Sequence, residues 1–300
     1  MSALFAIAGV QQTLSAVEEN VSRMEGRLSV LLSVYPWVHM VVFSELAPFG
    51  PLTVNAQPFP NRTEDRFCEL AAKHGIWLLP GSMFEREGPY IYNTASVIDP
   101  QGKVVGRYRK MFPFLPYEEG VSSGREFLVF DVPEIGRFGV SICYDMWFPE
   151  TSRTLAAMGA EVILHPTLTS SIDRDVELAI ARATAAQQQL FFVDVNGVGD
   201  GGIGRSIVVG PHGDVLHQAG TGEEMFPLEI DLARVRRSRE VGLKGLGQPL
   251  KSFRDRTIQF PVYGSSWREH GYYKDLGPLE KPSRGSRKGL REPELAGTED

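Results

Sequence analysis

Cysteine, long apolar runs and excess positive charge are scarce in this chain, and each shortage excludes a class of protein. Cys68 and Cys143 are the only cysteines among 300 residues, which argues against a disulfide framework and favours a reducing, cytoplasmic location. No stretch approaches the roughly 18 to 20 apolar residues of a membrane span, and residues 4–10 lack the basic leader and cleavage site of a signal peptide. A net charge of −6 gives no support for a nucleic-acid partner.

What is present is a regular alternation of helix and strand patterns, with a hydrophobic content of 42% that can form a sizeable core. Predicted helices lie at residues 16–33, 64–74, 149–158 and 173–188, and predicted strands lie at 5–10, 40–44, 76–79, 92–98, 104–108, 127–130, 138–142, 162–164, 191–195, 203–209, 215–217 and 226–230. Many strands interleaved with helices imply an α/β fold of two layered sheets with helices on their outer faces.

Cys143 is the most informative residue, because it ends an apolar run and opens a polar, aromatic turn before Pro149. At a strand-to-helix junction, backbone N–H groups and the helix dipole can stabilise a thiolate and a developing oxyanion. Glu45 and Lys110 also stand beside predicted strands. A carboxylate, an amine and a thiol in these positions indicate a cysteine hydrolase that uses no histidine.

Each of these residues has an ordinary structural interpretation when it is taken alone. A cysteine after a strand is more often a small buried hydrophobic residue than a nucleophile. Glu45 alone fits a charge at a helix start, and Lys110 alone fits a solvated strand end. Cys68, inside a predicted helix, is interpreted as a packing residue. The combination, and no single residue, favours catalysis.

The residues around these positions resemble the nitrilase superfamily of carbon-nitrogen hydrolases, which use a Glu-Lys-Cys constellation. The resemblance covers roughly residues 4–260 in the family's chain order. Ser44 departs from the family, which usually has proline there, but the carboxylate of Glu45 is kept. The matching segments are Val42-Phe-Ser-Glu45-Leu, Gly106-Arg-Tyr-Arg-Lys110, Gly139-Val-Ser-Ile-Cys143-Tyr-Asp-Met-Trp-Phe-Pro-Glu150, Asn196, Gly204-Arg-Ser206 and Gly213.

The resemblance implies a four-layer α-β-β-α sandwich and a covalent mechanism. Cys143 would be the nucleophile, Glu45 the general base, and Lys110 the cation that lowers the pKa of the thiol and helps to bind the oxyanion. The backbone N–H of Tyr144 would be a second oxyanion donor. Acyl-enzyme formation would release ammonia, and a water activated by Glu45 would free the acid. No cofactor or metal is required, and no His/Cys spacing suggests a metal site.

A fourth catalytic residue is expected just after Lys110. The segment Lys110-Met-Phe-Pro-Phe-Leu-Pro-Tyr-Glu118-Glu119-Gly120 resembles the one that carries a second active-site glutamate in aliphatic amidases and formamidases. Counting forward from the lysine selects Glu118, and counting back from Gly120 selects Glu119. Adjacent carboxylates on an extended segment cannot both face one pocket. We predict Glu118, positioning the substrate amide and Lys110, with an ordinary acidic loop as the alternative.

The substrate class is predicted from the turn at the nucleophile. Cys143-Tyr-Asp145 resembles the amidase and carbamoylase branches, whereas nitrilases usually carry Cys-Trp-Glu. Met146 and Trp147 stand where D-amino-acid carbamoylases have arginines for a carboxylate, so a free carboxylate is disfavoured. The prediction is hydrolysis of a small primary amide. An N-carbamoyl amine or amino acid is the closest alternative, followed by a nitrile, acyl transfer and a non-catalytic binding subunit.

Residues near the predicted strand ends are candidates for substrate contact or for orienting the site. Asp145 is expected to orient the backbone of the turn or to cap the following helix. For the substrate contacts, packing in the core or at the rim is the alternative in each case, and an aromatic lining favours a small neutral or apolar acyl group. The candidate contacts are Tyr144, Trp147, Pro166 and Thr167.

Two further patterns carry no function in this interpretation. Residues 199–204 match G-x-G-x-x-G, but a strand is predicted after them, where a dinucleotide site needs a helix. The basic cluster at 234–239 is interpreted as a solvated face or a subunit contact.

The predicted organisation is one hydrolase domain at residues 1–270 and a tail at 271–300. The tail is rich in Lys, Arg, Glu, Gly and Pro, so we expect it to be disordered or ordered only against another subunit. The family resemblance implies a homo-oligomer, either a dimer or a multiple of dimers.

Overall fold

The structure is a computed structural model that describes residues 4–264, 266, 272–281 and 284. The chain divides into two compact units. The first consists of Met1–Pro113 and Gly120–Thr257, and the second of Phe114–Glu119 and Ile258–Asp300. All strands named below belong to the first unit.

The first unit alternates strands and helices along its whole length. Its strands are β1 (Leu4–Gln11), β2 (Thr13–Leu14), β3 (Met40–Phe43), β4 (Trp77–Leu79), β5 (Met83–Glu87), β6 (Tyr90–Ile98), β7 (Val104–Arg109), β8 (Leu128–Val132), β9 (Gly136–Val140), β10 (Val162–Thr167), β11 (Phe191–Asn196), β12 (Val198–Gly199), β13 (Gly202–Ile203), β14 (Ile207–Val209), β15 (Val215–Gln218) and β16 (Glu224–Asp231). Its helices are α1 (Val21–Val34), α2 (Arg62–His74), α3 (Pro149–Ala157), α4 (Asp173–Gln188), α5 (Leu232–Val241) and α6 (Pro249–Arg254), with 3₁₀ helices at Thr53–Asn55 and Cys143–Trp147.

Two large sheets organise these strands in the described part of the chain. The first sheet has seven strands in the order β16-β1-β3-β4-β6-β5, with β7 paired to β6, and the second has six in the order β15-β14-β11-β10-β9-β8. Strands β3 and β4 are parallel, and β6 runs antiparallel to both β4 and β7. Strand β7 therefore runs in the same direction as β3, and Glu45 and Lys110 leave the sheet at the same edge.

The apolar core lies in three layers. Side chains from both sheets, among them Ile7 and Val140, form one cluster between the sheets. A second cluster joins the first sheet to α1 and α2 through residues such as Phe67, and a third joins the second sheet to α3 and α4 through residues such as Leu155 and Leu178. This arrangement confirms the predicted four-layer α-β-β-α sandwich.

Helix boundaries follow local sequence signals where those signals are strong. The side chain of Asn61 accepts hydrogen bonds from two N–H groups at the start of α2, and Gly75, at a φ of +64°, ends that helix. Helix α3 begins with a proline, as predicted. The predicted start of the first helix at residue 16 was wrong: the side chains of Ser15 and Asn20 bond the nearby backbone, and α1 begins only after them.

The elements that were not predicted include β2, β5, β12, α5 and α6. Helix α5 contains the basic cluster at 234–239, and three of its arginines, Arg234, Arg236 and Arg239, bond within the chain. Arg236 forms a two-pronged pair with Glu161, and Arg239 donates to the carbonyls of Ala160 and Gln189. The side chain of Arg236 is nevertheless 49% exposed, which fits the expected solvated face, whereas Arg239 is half-buried and does not fit it.

The glycine-rich segment at 199–204 forms part of a small sheet in which β12 pairs with β13 and β2. Strand β14 follows this segment, as predicted from the sequence. The segment therefore lacks the following helix whose N–H groups would bind a pyrophosphate. Among the described residues, no helix is long and apolar enough to cross a membrane.

The second unit contains a 3₁₀ helix at Pro261–Tyr263 and a short helix, α7, at Tyr272–Asp275. Within it, the rings of Phe114 and Tyr117 stack with centroids 5.1 Å apart, and the amine of Lys281 lies 5.3 Å from the Tyr117 ring centroid. Most of the predicted tail, residues 271, 282–283 and 285–300, lies outside the described residues. The predicted domain boundary at residue 270 stays a prediction.

Candidate active site

A buried ion pair forms the centre of the site. Glu45 follows β3 and Lys110 follows β7, and the Lys110 Nζ donates to Glu45 Oε1 at 2.9 Å. Both side chains are almost fully buried. Asn93 on β6 donates its Nδ2 to the same Glu45 oxygen at 2.7 Å, and its carbonyl accepts the Lys110 N–H. Asn93 therefore holds both members of the pair, a role that the sequence analysis missed.

The backbone of Glu45 also joins the two sheets. Its N–H donates to the carbonyl of Thr167 at the end of β10. Because β3 and β10 belong to different sheets, this bond fixes the carboxylate against the strand next to the one that leads to Cys143. Ser44, which replaces the expected proline, is fully buried.

Cys143 occupies a sharp turn between β9 and α3. Its φ of +47° is in the left-handed region, which non-glycine residues adopt rarely and usually where function or surrounding structure requires it. The residue opens the 3₁₀ helix Cys143–Trp147, so a tight turn, rather than α3 itself, follows the strand. The thiol is buried, with an exposed fraction of 8%.

The surroundings of Cys143 keep the thiol protonated at neutral pH. Burial raises its pKa well above the ordinary value, and the charge of Glu45 raises it further. Lys110 lowers the pKa, as predicted, but burial and Glu45 outweigh it. A nucleophilic thiolate at this position therefore requires a base that removes the proton during the reaction.

Asp145 ties the turn of Cys143 to the segment of Lys110. One carboxylate oxygen accepts from the Tyr108 hydroxyl at 2.7 Å and from the Ile142 N–H at 2.9 Å. The other accepts from the N–H groups of Met111 and Phe112 at 3.1 and 2.9 Å. Asp145 thus orients the backbone of the turn, which was one of its two expected roles. Its pKa is raised by burial.

His165 on β10 lies behind the turn and is neutral. Its Nδ1 is 2.8 Å from the hydroxyl of Ser141. Burial, followed by the charges of Arg174 and Lys110, lowers its pKa to about 3. The imidazole is therefore unsuited to act as a base at neutral pH, in keeping with the predicted histidine-free chemistry.

A second buried charge cluster lies next to the nucleophile and was not predicted. The sulfur of Cys143 is 3.9 Å from the Thr169 hydroxyl oxygen, and that oxygen is 3.0 Å from Glu177 on α4. Arg174 pairs with Glu177 at 3.0 Å and also with Asp194. No motif marks these residues in the sequence; only their burial in an otherwise amphipathic helix distinguishes Arg174 and Glu177.

The predicted substrate contacts lie around the same turn. Tyr144 and Trp147 are half-buried, with ring centroids 6.1 Å apart, and Trp147 packs against the cluster under α3 and α4. Pro166 and Thr167 are buried at the end of β10, and the Thr167 hydroxyl hydrogen-bonds the Cys143 thiol. Whether these four contact substrate stays a prediction.

Glu118 belongs to the second unit. Its carboxylate accepts the N–H of Phe114 at 2.5 Å, and its own N–H donates to the carbonyl of the same residue. The segment is thus a closed turn and not the extended chain that was assumed when Glu118 was chosen over Glu119. The choice between them stays a prediction.

The arrangement provides the parts that cleavage of an acyl–nitrogen bond needs. Cys143 offers a nucleophile, Glu45 a buried carboxylate, and Lys110 a positive charge close enough to act on the sulfur. Among the residues that the structure describes, no group of three His, Cys, Asp or Glu side chains is placed to hold a metal ion.

Comparison with known proteins agrees with this chemistry. A family model described as carbon-nitrogen hydrolase matches residues 4–240. The omega-amidase NIT2 of Homo sapiens is 31% identical over 202 residues, which are 62% of this chain and 72% of that protein. A nitrilase of Pyrococcus abyssi is 34% identical over 192 residues, 61% of this chain and 71% of that protein.

A solved structure shows the same fold. Nit3 of Saccharomyces cerevisiae, described as a member of branch 10 of the nitrilase superfamily, matches with a TM-score of 0.73 and 27% identity. The match covers 79% of this chain and 93% of Nit3.

Proposed function

Since the chain belongs to the carbon-nitrogen hydrolase family, we propose that it hydrolyses a small primary amide to a carboxylic acid and ammonia. The observation that carries this proposal is the buried Glu45–Lys110 pair, whose two charges both act on the thiol of Cys143. At Cys143 this pair is combined with a left-handed backbone turn at a strand end, a combination that packing alone does not require.

In the proposed reaction, Glu45 takes the proton of the Cys143 thiol as the sulfur attacks the amide carbon. This transfer is needed because the resting thiol is protonated. Lys110 and the backbone N–H of Tyr144 stabilise the negative oxygen of the tetrahedral intermediate. Glu45 then delivers the proton to the nitrogen as the C–N bond breaks, which leaves a thioester and ammonia. Water, deprotonated by Glu45, hydrolyses the thioester, and Cys143 regains its proton.

The amide substrate is favoured over its alternatives by several features. The Cys143-Tyr-Asp145 turn resembles the amidase and carbamoylase branches, the segment from Lys110 to Glu118 resembles amidases, and relatives with about 30% identity are named omega-amidases. Half-buried Tyr144 and Trp147 suit a small neutral acyl group. Glu118 would orient the substrate amide.

We also infer that the protein is a cytoplasmic homo-oligomer. Size-exclusion chromatography with light scattering would test the oligomeric state.

Ammonia release from a panel of small primary amides, N-carbamoyl amines, N-carbamoyl amino acids and nitriles tests the proposal, with the Cys143→Ala variant as the blank. We expect release from amides alone, abolished in the variant. Release from carbamoyl compounds alone would favour the carbamoylase alternative. The absence of ammonia release from every compound in the panel would count against the proposal and favour a binding subunit.

A further inference from the structure

One hydroxyl connects the nucleophile to a carboxylate that the mechanism above does not use. Thr169 lies between them, with its Oγ1 at 3.9 Å from Cys143 Sγ and at 3.0 Å from Glu177 Oε1. All three side chains are buried. The backbone of Thr169 is fixed on both sides by Asn196, which accepts its N–H and donates to its carbonyl, each at 3.0 Å.

The direction of the hydrogen bonds follows from how many protons each group carries. A threonine hydroxyl has one proton, and an ionised carboxylate only accepts. Because Arg174 donates to Glu177 Oε2 at 3.0 Å, the carboxylate directs Oε1 towards Thr169 and takes its proton. Thr169 then presents only lone pairs to the sulfur, so the S–H of Cys143 is the donor in that contact.

We propose that Glu177 is a positioning residue that acts through the Thr169 hydroxyl, holding Cys143 as a thiol rather than a thiolate in the resting site. The inference rests on the proposed role of Cys143 as the nucleophile. As a consequence of this hydrogen bonding, the sulfur does not react with electrophiles other than the substrate. It becomes reactive when Glu45 removes the proton with a substrate bound.

The charges that face Cys143 agree with this assignment. Glu45 and Glu177 both raise the pKa of the thiol beyond the effect of burial, whereas Lys110 and the Thr167 hydroxyl lower it. Behind the turn, His165 is neutral. Deprotonation of the thiol places a negative sulfur beside the negative Glu177, which is unfavourable. Once Glu45 has taken the proton, its own charge no longer repels the sulfur, and this repulsion is reduced.

The Glu177→Gln variant reverses the hydrogen bond. The guanidinium of Arg174 has only donors, so the new amide turns its oxygen to Arg174 and its NH₂ to Thr169. Thr169 is then free to donate its proton to the sulfur and stabilise the thiolate. The loss of one negative charge acts in the same direction.

The experiment measures the rate at which iodoacetamide alkylates Cys143 as a function of pH. It uses a Cys68→Ser background, so that Cys143 is the thiol whose alkylation is measured. We expect Glu177→Gln to lower the apparent pKa and to raise the rate at neutral pH about tenfold, which corresponds to about one pKa unit. Asp175→Asn, which removes an exposed charge from the same helix, is the matched control and should change the rate less than about twofold. An unchanged or slower Glu177→Gln variant overturns the proposal.

Thr169→Val tests the same idea without altering the charge cluster. If Thr169 accepts from the thiol, its loss raises the neutral-pH rate by about two- to threefold, the effect of one weak hydrogen bond. Thr169→Ser should restore the wild-type profile. A slower Thr169→Val variant, or a full Glu177→Gln effect in the Thr169→Val background, overturns the proposal. Alkylation needs no turnover, so ammonia release tests the proposed function separately.

Discussion

Both cysteines of this chain lie near a buried carboxylate that is paired with a cation. Near Cys143 the pair is Glu45 and Lys110, at 2.9 Å. Near Cys68 it is Glu64 and Arg107, at 2.6 Å. Burial and the nearby carboxylate raise the pKa of both thiols, to about 11 for Cys68, and in both places the cation lowers it. The two regions contain the same kinds of residue and differ in geometry.

The differences lie in the backbone and in how the carboxylate is used. Cys68 is in the middle of α2 and packs on the outer side of the first sheet. Its neighbour Glu64 accepts from Arg107 on both oxygens and also from Ser96. Cys143 instead has a left-handed backbone at a strand end and two threonine hydroxyls at its sulfur. A thiol becomes a candidate nucleophile through its turn and its position between the sheets, and not through its pKa.

Exchanging each sulfur for oxygen gives the largest expected difference between the two regions. Cys143→Ser should lose at least about a thousandfold in kcat, because a serine hydroxyl is far harder to deprotonate than a thiol. Cys68→Ser should stay within about twofold, since that side chain only packs. Ammonia release with a saturating amide measures both. Turnover above about a hundredth of wild type in Cys143→Ser would contradict the nucleophile assignment.

Removal of each cation should give the second largest difference in activity between the two regions. Lys110→Met should lower kcat/KM by about 100- to 1,000-fold, the size of a lost oxyanion donor. Arg107→Met should leave kcat/KM within about twofold, although it costs about 1 to 2 kcal/mol of stability by leaving Glu64 unpaired. Steady-state kinetics and urea unfolding report the two effects. Equal losses of activity in both variants would show that the two ion pairs do not differ in their role.

The link between the turn and the lysine segment is the third test. Asp145→Asn keeps one acceptor oxygen but replaces the other by an NH₂ group, so two of its four donors lose their partner. We expect kcat to fall by about 10- to 100-fold and stability by about 2 to 4 kcal/mol. Asp131→Asn removes an exposed carboxylate and serves as the control, with no change in activity. Wild-type kcat in Asp145→Asn would show that the link does not position the site.

The last expected effect is on the pH dependence of stability and not on the reaction rate. His165 is protonated near its ordinary pKa of 6.5 when the chain is unfolded, but only near pH 3 when it is folded. Between these values the unfolded state binds more protons, so this residue makes stability fall as pH falls, by at most about 1.4 kcal/mol per pH unit. His165→Gln should remove that contribution.

Urea unfolding at several pH values below 6.5 checks this expectation, with His212→Gln as the control. The difference between variant and wild type is the relevant quantity, because the raised pKa values of Asp145, Glu177 and Asp194 act in the opposite direction. Identical slopes for His165→Gln and wild type would show that the imidazole is not held neutral behind Cys143.

Much of the fold and part of the candidate site could be predicted from the sequence. Strand and helix periodicity located most elements, and the resemblance supplied the sandwich and the Glu45, Lys110 and Cys143 grouping. Asn93 was missed because it lies in a strand with no distinguishing pattern, 48 positions from the carboxylate it contacts. Thr169 and Glu177 were missed because no motif marks them and because Thr169 lies 26 positions from the cysteine it contacts.

The sequence by itself determined most of the segments that become strands and helices, since periodicity, caps and turn residues act over a few neighbouring positions. It also placed Glu45, Lys110 and Cys143 at or just beyond strand ends. Only the tertiary structure decided which carboxylate meets which cation and which cysteine lies between the sheets. That choice depends on strand direction, on the pairing of distant segments and on the left-handed turn at Cys143, and these arise only when both sheets pack together.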